Sequence, residues 1–234
     1  MDTSYNVISA SADGSIRRWT RDGNPVGKPC HSDGGSVGSI AVSPDGTMAA
    51  SGRADGRLRL WNIKEGRVVG DLSEGHKGEV ECVDWSPSGL PEIASGSRDG
   101  TVRCWNLATS RQIGPTIEIG GWVCAIKYSP QSDKIATGGE DNMIRVWSKD
   151  GKLLIEIKGH DYSVMSLCWS KDGTHIFSAS MDGTIRKWQL IDGKEVFILR
   201  GHTYTVTSIC VTSDEHHLVS GISGLFSSCM GPQG

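Results

Sequence analysis

Strong helix formers never cluster in this 234-residue chain over a window long enough to build an amphipathic helix, so a helical domain is not expected. No apolar run approaches the ~20 residues that cross a bilayer as a helix. Met1 to Ala10 hold no positive segment followed by an apolar core, so a secretory leader is not expected. The seven cysteines (Cys30, Cys82, Cys104, Cys124, Cys168, Cys210 and Cys229) are odd in number and form no C-x-x-C pair, and N-x-[ST] sequons are missing. Reduced structural thiols are expected, with Cys82, Cys124, Cys168 and Cys210 acting as small hydrophobes in apolar strands, in an intracellular compartment, cytoplasmic or nuclear. A net charge of −3, with lysine and arginine scattered, leaves no basic stripe, so nucleic acid is not an expected partner and neither is a membrane. No G-x-x-x-x-G-K-[ST] loop is present, and no cofactor is expected.

Glycine, by contrast, is abundant at 31 residues, as an all-β chain with many tight turns requires. Trp19, Trp61, Trp105, Trp147 and Trp188 fall 42, 44, 42 and 41 residues apart, and a turn dipeptide stands six residues before each. These are Asp13-Gly14, Asp55-Gly56, Asp99-Gly100, Asp141-Asn142 and Asp182-Gly183. Asp-Gly between alternating apolar residues predicts a type I′ hairpin, whose two central residues need positive φ. In the fifth copy, strands are predicted at Val164 to Ser170, His175 to Ser180, Thr184 to Gln189 and Glu195 to Leu199, giving four antiparallel strands. The first turn of other copies reads Ser43-Pro44-Asp45-Gly46, Ser86-Pro87-Ser88-Gly89 and Ser129-Pro130-Gln131-Ser132, where proline suits a turn and cannot extend a central strand. Such a unit buries both faces only when neighbours stack on it, so this period predicts a β-propeller. Trp85, Tyr128 and Trp169, with Val42 and Val211 as smaller equivalents, are expected to fill the gaps between blades.

The units resemble WD40 repeats over about residues 5 to 221. The family pattern of Gly-His, a long gap, Ser or Thr, Asp and Trp is met in full by Gly75-His76, Ser95, Asp99, Trp105 and by Gly159-His160, Ser178, Asp182, Trp188. Other units depart from it: the Asp that follows Trp in the family is missing throughout, His31 comes two residues early, and Gly120-Gly121 stand where a histidine belongs. The resemblance implies an all-β WD40-type propeller of four-stranded antiparallel blades, four complete and partial ones at both ends. Units fall near 1–30, 31–73, 74–118, 119–158, 159–200 and 201–221, with a divergent tail over 222–234. It also implies that His, Ser, Asp and Trp form a buried hydrogen-bonded chain. The residue types suit that role, since indole N–H only donates, carboxylate only accepts, and imidazole and hydroxyl do both.

Ser, His and Asp together invite a hydrolase reading, but a catalytic triad occurs once, with an exposed nucleophile, whereas this set recurs by blade beside a tryptophan. The literal G-x-S-x-G at Gly34-Gly35-Ser36-Val37-Gly38 precedes a strand pattern instead of joining strand to helix, so it predicts an interblade loop. His31, His76, His160 and His202 fall one to a blade without ligand partners, and His216-His217, adjacent on a predicted strand, point to opposite faces, so no metal site is expected. The chain is accordingly expected not to be an enzyme.

Function is then expected from exposed residues. The resemblance implies use of the face formed by the starts of the first strands (Ser36, Glu79, Glu81, Trp122, Cys124, Ser163, Met165, Thr205, Thr207) and the residues before each turn Asp (Ala12, Ala54, Arg98, Glu140, Met181). Trp122, Arg98, Met181, Met165, Glu140, Glu79 and Glu81 are the candidate contacts for other proteins or peptides, with Trp122 the anchor, since it falls where other units place Glu79, Ser163 and Thr205 and is expected to be solvated; the alternative is that it plugs the gap left by the histidine missing at Gly120-Gly121. Tyr5 to Ala10 reads as a second strand, His216 to Ser220 as another, and after Gly221 the repeat stops: Gly224 replaces the turn Asp and Ser227 to Pro232 match nothing. A truncated array, open to self-association through its blade edges, is the expectation; the alternative is closure into five blades, the last first strand pairing with the N-terminal three. Two functions compete: a non-catalytic scaffold in a multiprotein complex, and a substrate-receptor or regulatory subunit of an enzyme complex such as a ubiquitin ligase. The W-D-x-R docking pattern that would favour the second is absent.

Overall fold

The computed structural model describes residues 7–31, 35–72, 75–212 and 214–223, and every element among them is a β-strand. The first sheet holds β1 (Val7–Ala10), β2 (Ser15–Trp19) and β3 (Cys30–His31). Four sheets of four antiparallel strands follow, each in sequential order. They are β4 (Val37–Val42), β5 (Met48–Arg53), β6 (Leu58–Asn62), β7 (Arg67–Leu72); β8 (Val80–Trp85), β9 (Glu92–Ser97), β10 (Thr101–Asn106), β11 (Arg111–Glu118); β12 (Val123–Tyr128), β13 (Lys134–Gly139), β14 (Ile144–Ser148), β15 (Leu153–Ile157); and β16 (Val164–Trp169), β17 (His175–Ser180), β18 (Ile185–Gln189), β19 (Glu195–Leu199). A final pair comprises β20 (Val206–Val211) and β21 (Leu218–Ile222). Tyr5, Gly34, Gly224 and the segment from Ser227 to Pro232, which carried expectations above, lie outside the described residues, as does Cys229.

The sheets stack radially. The first strands β4, β8, β12, β16 and β20 pack side by side, and all five line one cavity of about 410 Å³ on the axis. Burial grades outward from there: β5, β9 and β13 are buried along nearly their whole length, while β7, β15 and β19 alternate or lie exposed. Apolar clusters fill each gap, one joining Leu60 to Val83, Trp85 and Trp105, the next joining Cys82 and Val102 to Ile126, Tyr128 and Trp147. Glycine in the second strands allows the close approach. A Cβ on Gly96 would stand 2.4 Å from Val123 Cγ1 and 2.7 Å from Cys82 Sγ.

The recurrent hairpins are present at every predicted dipeptide, with a different turn. Positive φ occurs at Gly14, Gly56, Gly100, Asn142 and Gly183, but not at the preceding aspartates, so these are not type I′ turns. The reason is local: each Asp Oδ1 accepts the backbone N–H two residues on, as Asp99 does from Thr101 (2.9 Å) and Asp182 from Thr184 (2.8 Å), which holds the Asp in an ordinary right-handed conformation. Other corrections are smaller. The fifth-copy strands stop at Trp169 and start at Ile185, one residue inside the prediction. His31 pairs with Ser15 as the edge strand of the first sheet and does not open the second. His216 and His217 precede β21 and are not on it, because Thr212 clamps the turn through Asp214 and the His217 amide (3.1 Å) and no described third strand pairs with them. Val42 is 40% exposed and fills no gap, being short and set against the thin first sheet. Cys210 is exposed, since its side of β20 is covered by no sheet among the described residues.

Candidate functional site

The His-Ser-Asp-Trp sets assemble inside two blades. In the third sheet Trp105 Nε1 donates to Ser95 Oγ (2.9 Å), Ser95 Oγ meets His76 Nε2 (2.8 Å), and His76 Nδ1 meets Asp99 Oδ2 (3.1 Å). In the fifth the corresponding distances for Trp188, Ser178, His160 and Asp182 are all 2.7 Å. Burial drives both imidazoles below their ordinary 6.5, against the pull of the neighbouring Asp, so each is neutral. The network then fixes one tautomer: Nδ1–H donates to the carboxylate, and Nε2 accepts the serine proton. Burial pushes Asp182 up, but bonds from Thr184 and His160 outweigh it and hold the carboxyl down at about 2. Both serines are fully buried with their hydroxyls engaged on two sides, so neither offers a nucleophile. Burial likewise raises the Cys104 and Cys124 thiols to about 11 and Cys168 to about 12, leaving no thiolate at neutral pH.

Two members of these sets escaped the sequence reading. Thr101 and Thr184 donate to Asp99 Oδ1 (2.7 Å) and Asp182 Oδ1 (2.6 Å), so each Asp serves turn, threonine and histidine at once. An arginine stands two residues before every repeat tryptophan, at Arg17, Arg59, Arg103, Arg145 and Arg186. Arg59, Arg145 and Arg186 reach across to Asp71 (2.6 Å), Glu156 (2.9 Å) and Glu195 (2.9 Å) on the outer strand. That recurrence was visible in the sequence. In the fourth sheet, where Gly120-Gly121 replace the histidine, Trp147 still donates to Thr137 (3.0 Å) and Asp141 turns to Arg145 (2.5 Å).

The exposed candidates gather at one end of the axial cavity. Each first strand carries a β-bulge at the same register, placing one extra residue opposite its partner: Gly38, Glu81, Cys124, Met165 and Thr207. All five line the cavity. Around this ring Trp122 is 46% exposed and Met181 47%. The Arg98 guanidinium lies 4.7 Å from the Trp122 ring centroid, bonds Glu79 Oε2 at 3.0 Å and pairs with Glu81. Glu140 Oε2 accepts the Trp122 amide (3.3 Å), while the Glu140 amide returns to the Trp122 carbonyl (3.0 Å). Five of the seven surface candidates therefore form one connected cluster. Met165 joins it through the cavity wall, and Met181 sits on the turn of the fifth sheet, its amide bonded to the Ser163 carbonyl.

The family model described as "WD domain, G-beta repeat" matches residues 23–62, 66–106, 115–148, 151–189 and 193–225. From the second onward, each stretch takes the outer strand of one sheet with the inner strands of the next. Among similar proteins, "Small ribosomal subunit protein RACK1y" of Oryza sativa subsp. japonica is 31% identical over 192 residues, 79% of this chain and 44% of its own length. "Nuclear distribution protein nudF" of Aspergillus niger is 29% identical over 79% of this chain and 36% of its own. "p21-activated protein kinase-interacting protein 1-like" of Gallus gallus is 29% identical over 79% and 49%. The chain thus spans less than half the length of each of these curated relatives.

Proposed function

This chain belongs to the WD40 repeat family, and from that membership we propose that it is a non-catalytic scaffold whose bulge-lined channel mouth captures other proteins or peptides within a larger assembly. The observation that carries the reading is the ring of five bulge residues flanked by the Trp122–Arg98 pair. A bulge re-aims a residue away from the sheet faces, and here the five sheets with a described first strand all place it on the same rim. A half-exposed indole with a polar surround is the usual anchor of a protein interface. The Gallus relative is named for interaction with a protein kinase, which is the same class of activity.

The test is affinity capture from the native source with wild type beside Trp122→Ala, read by mass spectrometry, with melting curves for both. Loss of captured proteins with Tm lowered by less than about 4 °C, the size of a ~1 kcal/mol change in a domain this large, supports the proposal. A large fall in Tm with capture unchanged assigns Trp122 to packing and refutes it.

A further inference from the structure

We infer that Arg98 occupies its own chain's binding site, and that the partner recognised at the channel mouth presents an arginine side chain that takes its place. The geometry is that of a guanidinium receptor. Two carboxylates from one strand region, Glu79 and Glu81, hold Arg98 from the side, each only about a quarter exposed (23% and 25%), while the Trp122 indole from the next sheet lies under its face. Planar cations stack on indole, and a fork of N–H donors suits converging carboxylates. The occupant is the loosest part of the arrangement. Arg98 is 43% exposed on its side chain and stands on a hairpin turn, anchored by its amide to the Glu79 carbonyl (2.9 Å), so the side chain can swing out while the backbone stays.

Charge argues for a cationic newcomer over an anionic one. Among the described residues of the cluster three carboxylates, Glu79 and Glu81 on Arg98 and Glu140 beside Trp122, stand against the one guanidinium of Arg98, and the neighbouring Asp141 is already paired with Arg145. The charges around Cys124 lean the same way as this geometry: after burial, Glu81 and Glu140 push its thiol up, Arg98 pulls it down, and Asp141 adds to the upward push. The site also continues inward. Glu81 lines the axial cavity together with Cys124, Met165 and Thr207, so a side chain entering beside Glu81 has room behind it. An acidic peptide would have to displace nothing and would face net repulsion from the rim.

The test uses the full chain labelled with 5-fluorotryptophan, the Trp122 line in the fluorine spectrum being assigned by its loss in W122F. N-acetyl-arginine N-methylamide is titrated into wild type and R98A, with R98Q as a second variant that keeps a polar side chain, and the blocked glutamate derivative serves as comparison. The half-saturation concentration of the Trp122 shift is expected to fall at least ten-fold from wild type to either Arg98 variant. The glutamate derivative is expected to move nothing, and adding E79Q and E81Q to R98A to abolish the arginine response. No arginine-dependent shift in both Arg98 variants, equal half-saturation in wild type, or an equal response to glutamate overturns the inference. The inference rests on the channel mouth being the partner face, and the two failures are distinguishable. A silent Trp122 line with capture lost in W122A overturns the arginine site and leaves the partner face standing; a responding line with capture intact in W122A leaves a guanidinium site on this chain but overturns both the partner face and the arginine-bearing partner.

Discussion

Replacing Ser178 by alanine, compared with the same change at Ser51, isolates what the imidazole adds to a blade. Ser178 is fully buried, accepts the Trp188 indole N–H at 2.7 Å and meets His160 Nε2 at 2.7 Å. Ser51 is equally buried and accepts the Trp61 indole N–H at 2.9 Å, in a blade whose described residues hold no corresponding histidine. Stranding one buried polar group costs about 1–3 kcal/mol. Ser51→Ala strands one group and is expected to cost about 1–3 kcal/mol; Ser178→Ala strands two, for about 2–6 kcal/mol. In a domain of this size the difference corresponds to a Tm gap of roughly 2–4 °C per kcal/mol. Urea titration followed by tryptophan fluorescence gives the midpoints, which are comparable if the slopes agree. Because stacked repeats can loosen one at a time, hydrogen exchange read on β17–β19 and on β5–β7 locates each loss. Equal costs within about 0.5 kcal/mol, or a larger cost at Ser51, would show that the histidine link adds nothing.

Two further outcomes follow from the geometry. His76 and His160 are neutral in the fold with pKa values below the ordinary 6.5, whereas in the unfolded chain they take up protons near 6.5. The unfolded state therefore binds more protons below that point, so stability is complete above about pH 6.5 and declines as pH falls toward the depressed folded values. The urea midpoint is expected to drop from about pH 7 to about 5.5, and less so in H160Q; a midpoint that rises on acidification refutes the neutral assignment. Gly96→Ala places a methyl 2.4 Å from Val123 Cγ1 and is expected to cost about 1–3 kcal/mol, while Gly70→Ala on β7, with nothing within 4 Å, is expected to be nearly neutral or stabilising. Equal melting temperatures for the two variants would contradict the close approach of the third and fourth sheets.

The blade architecture was legible because its determinants are local and repeated. The Asp-Gly dipeptides mark the turns, Trp105 and Trp188 mark third strands, and Gly75-His76 and Gly159-His160 mark the entries to the third and fifth sheets. The turn type was misread since the dipeptide alone does not reveal that Asp99 or Asp182 bonds forward to a threonine. The bulges at Glu81, Cys124 and Met165 leave no mark on apolar alternation, because they depend on how two strands pair. Exposure of Trp122 was anticipated from its polar counterparts in other units; its contact with Arg98 was not, since that contact joins neighbouring sheets 24 positions apart in the chain. Val42 and Cys210 matched the pattern of their repeats and still differ in burial, which is set by the sheet beside them.

A bulge frees one position per blade from the in-and-out rhythm that packing imposes on every other strand residue. Gly38, Glu81, Cys124, Met165 and Thr207 differ in size, charge and polarity although the strands that carry them all shift register at the same position. The rim behaves like a lock whose tumblers turn independently: a lineage can recut one without disturbing its neighbours or the barrel that holds them.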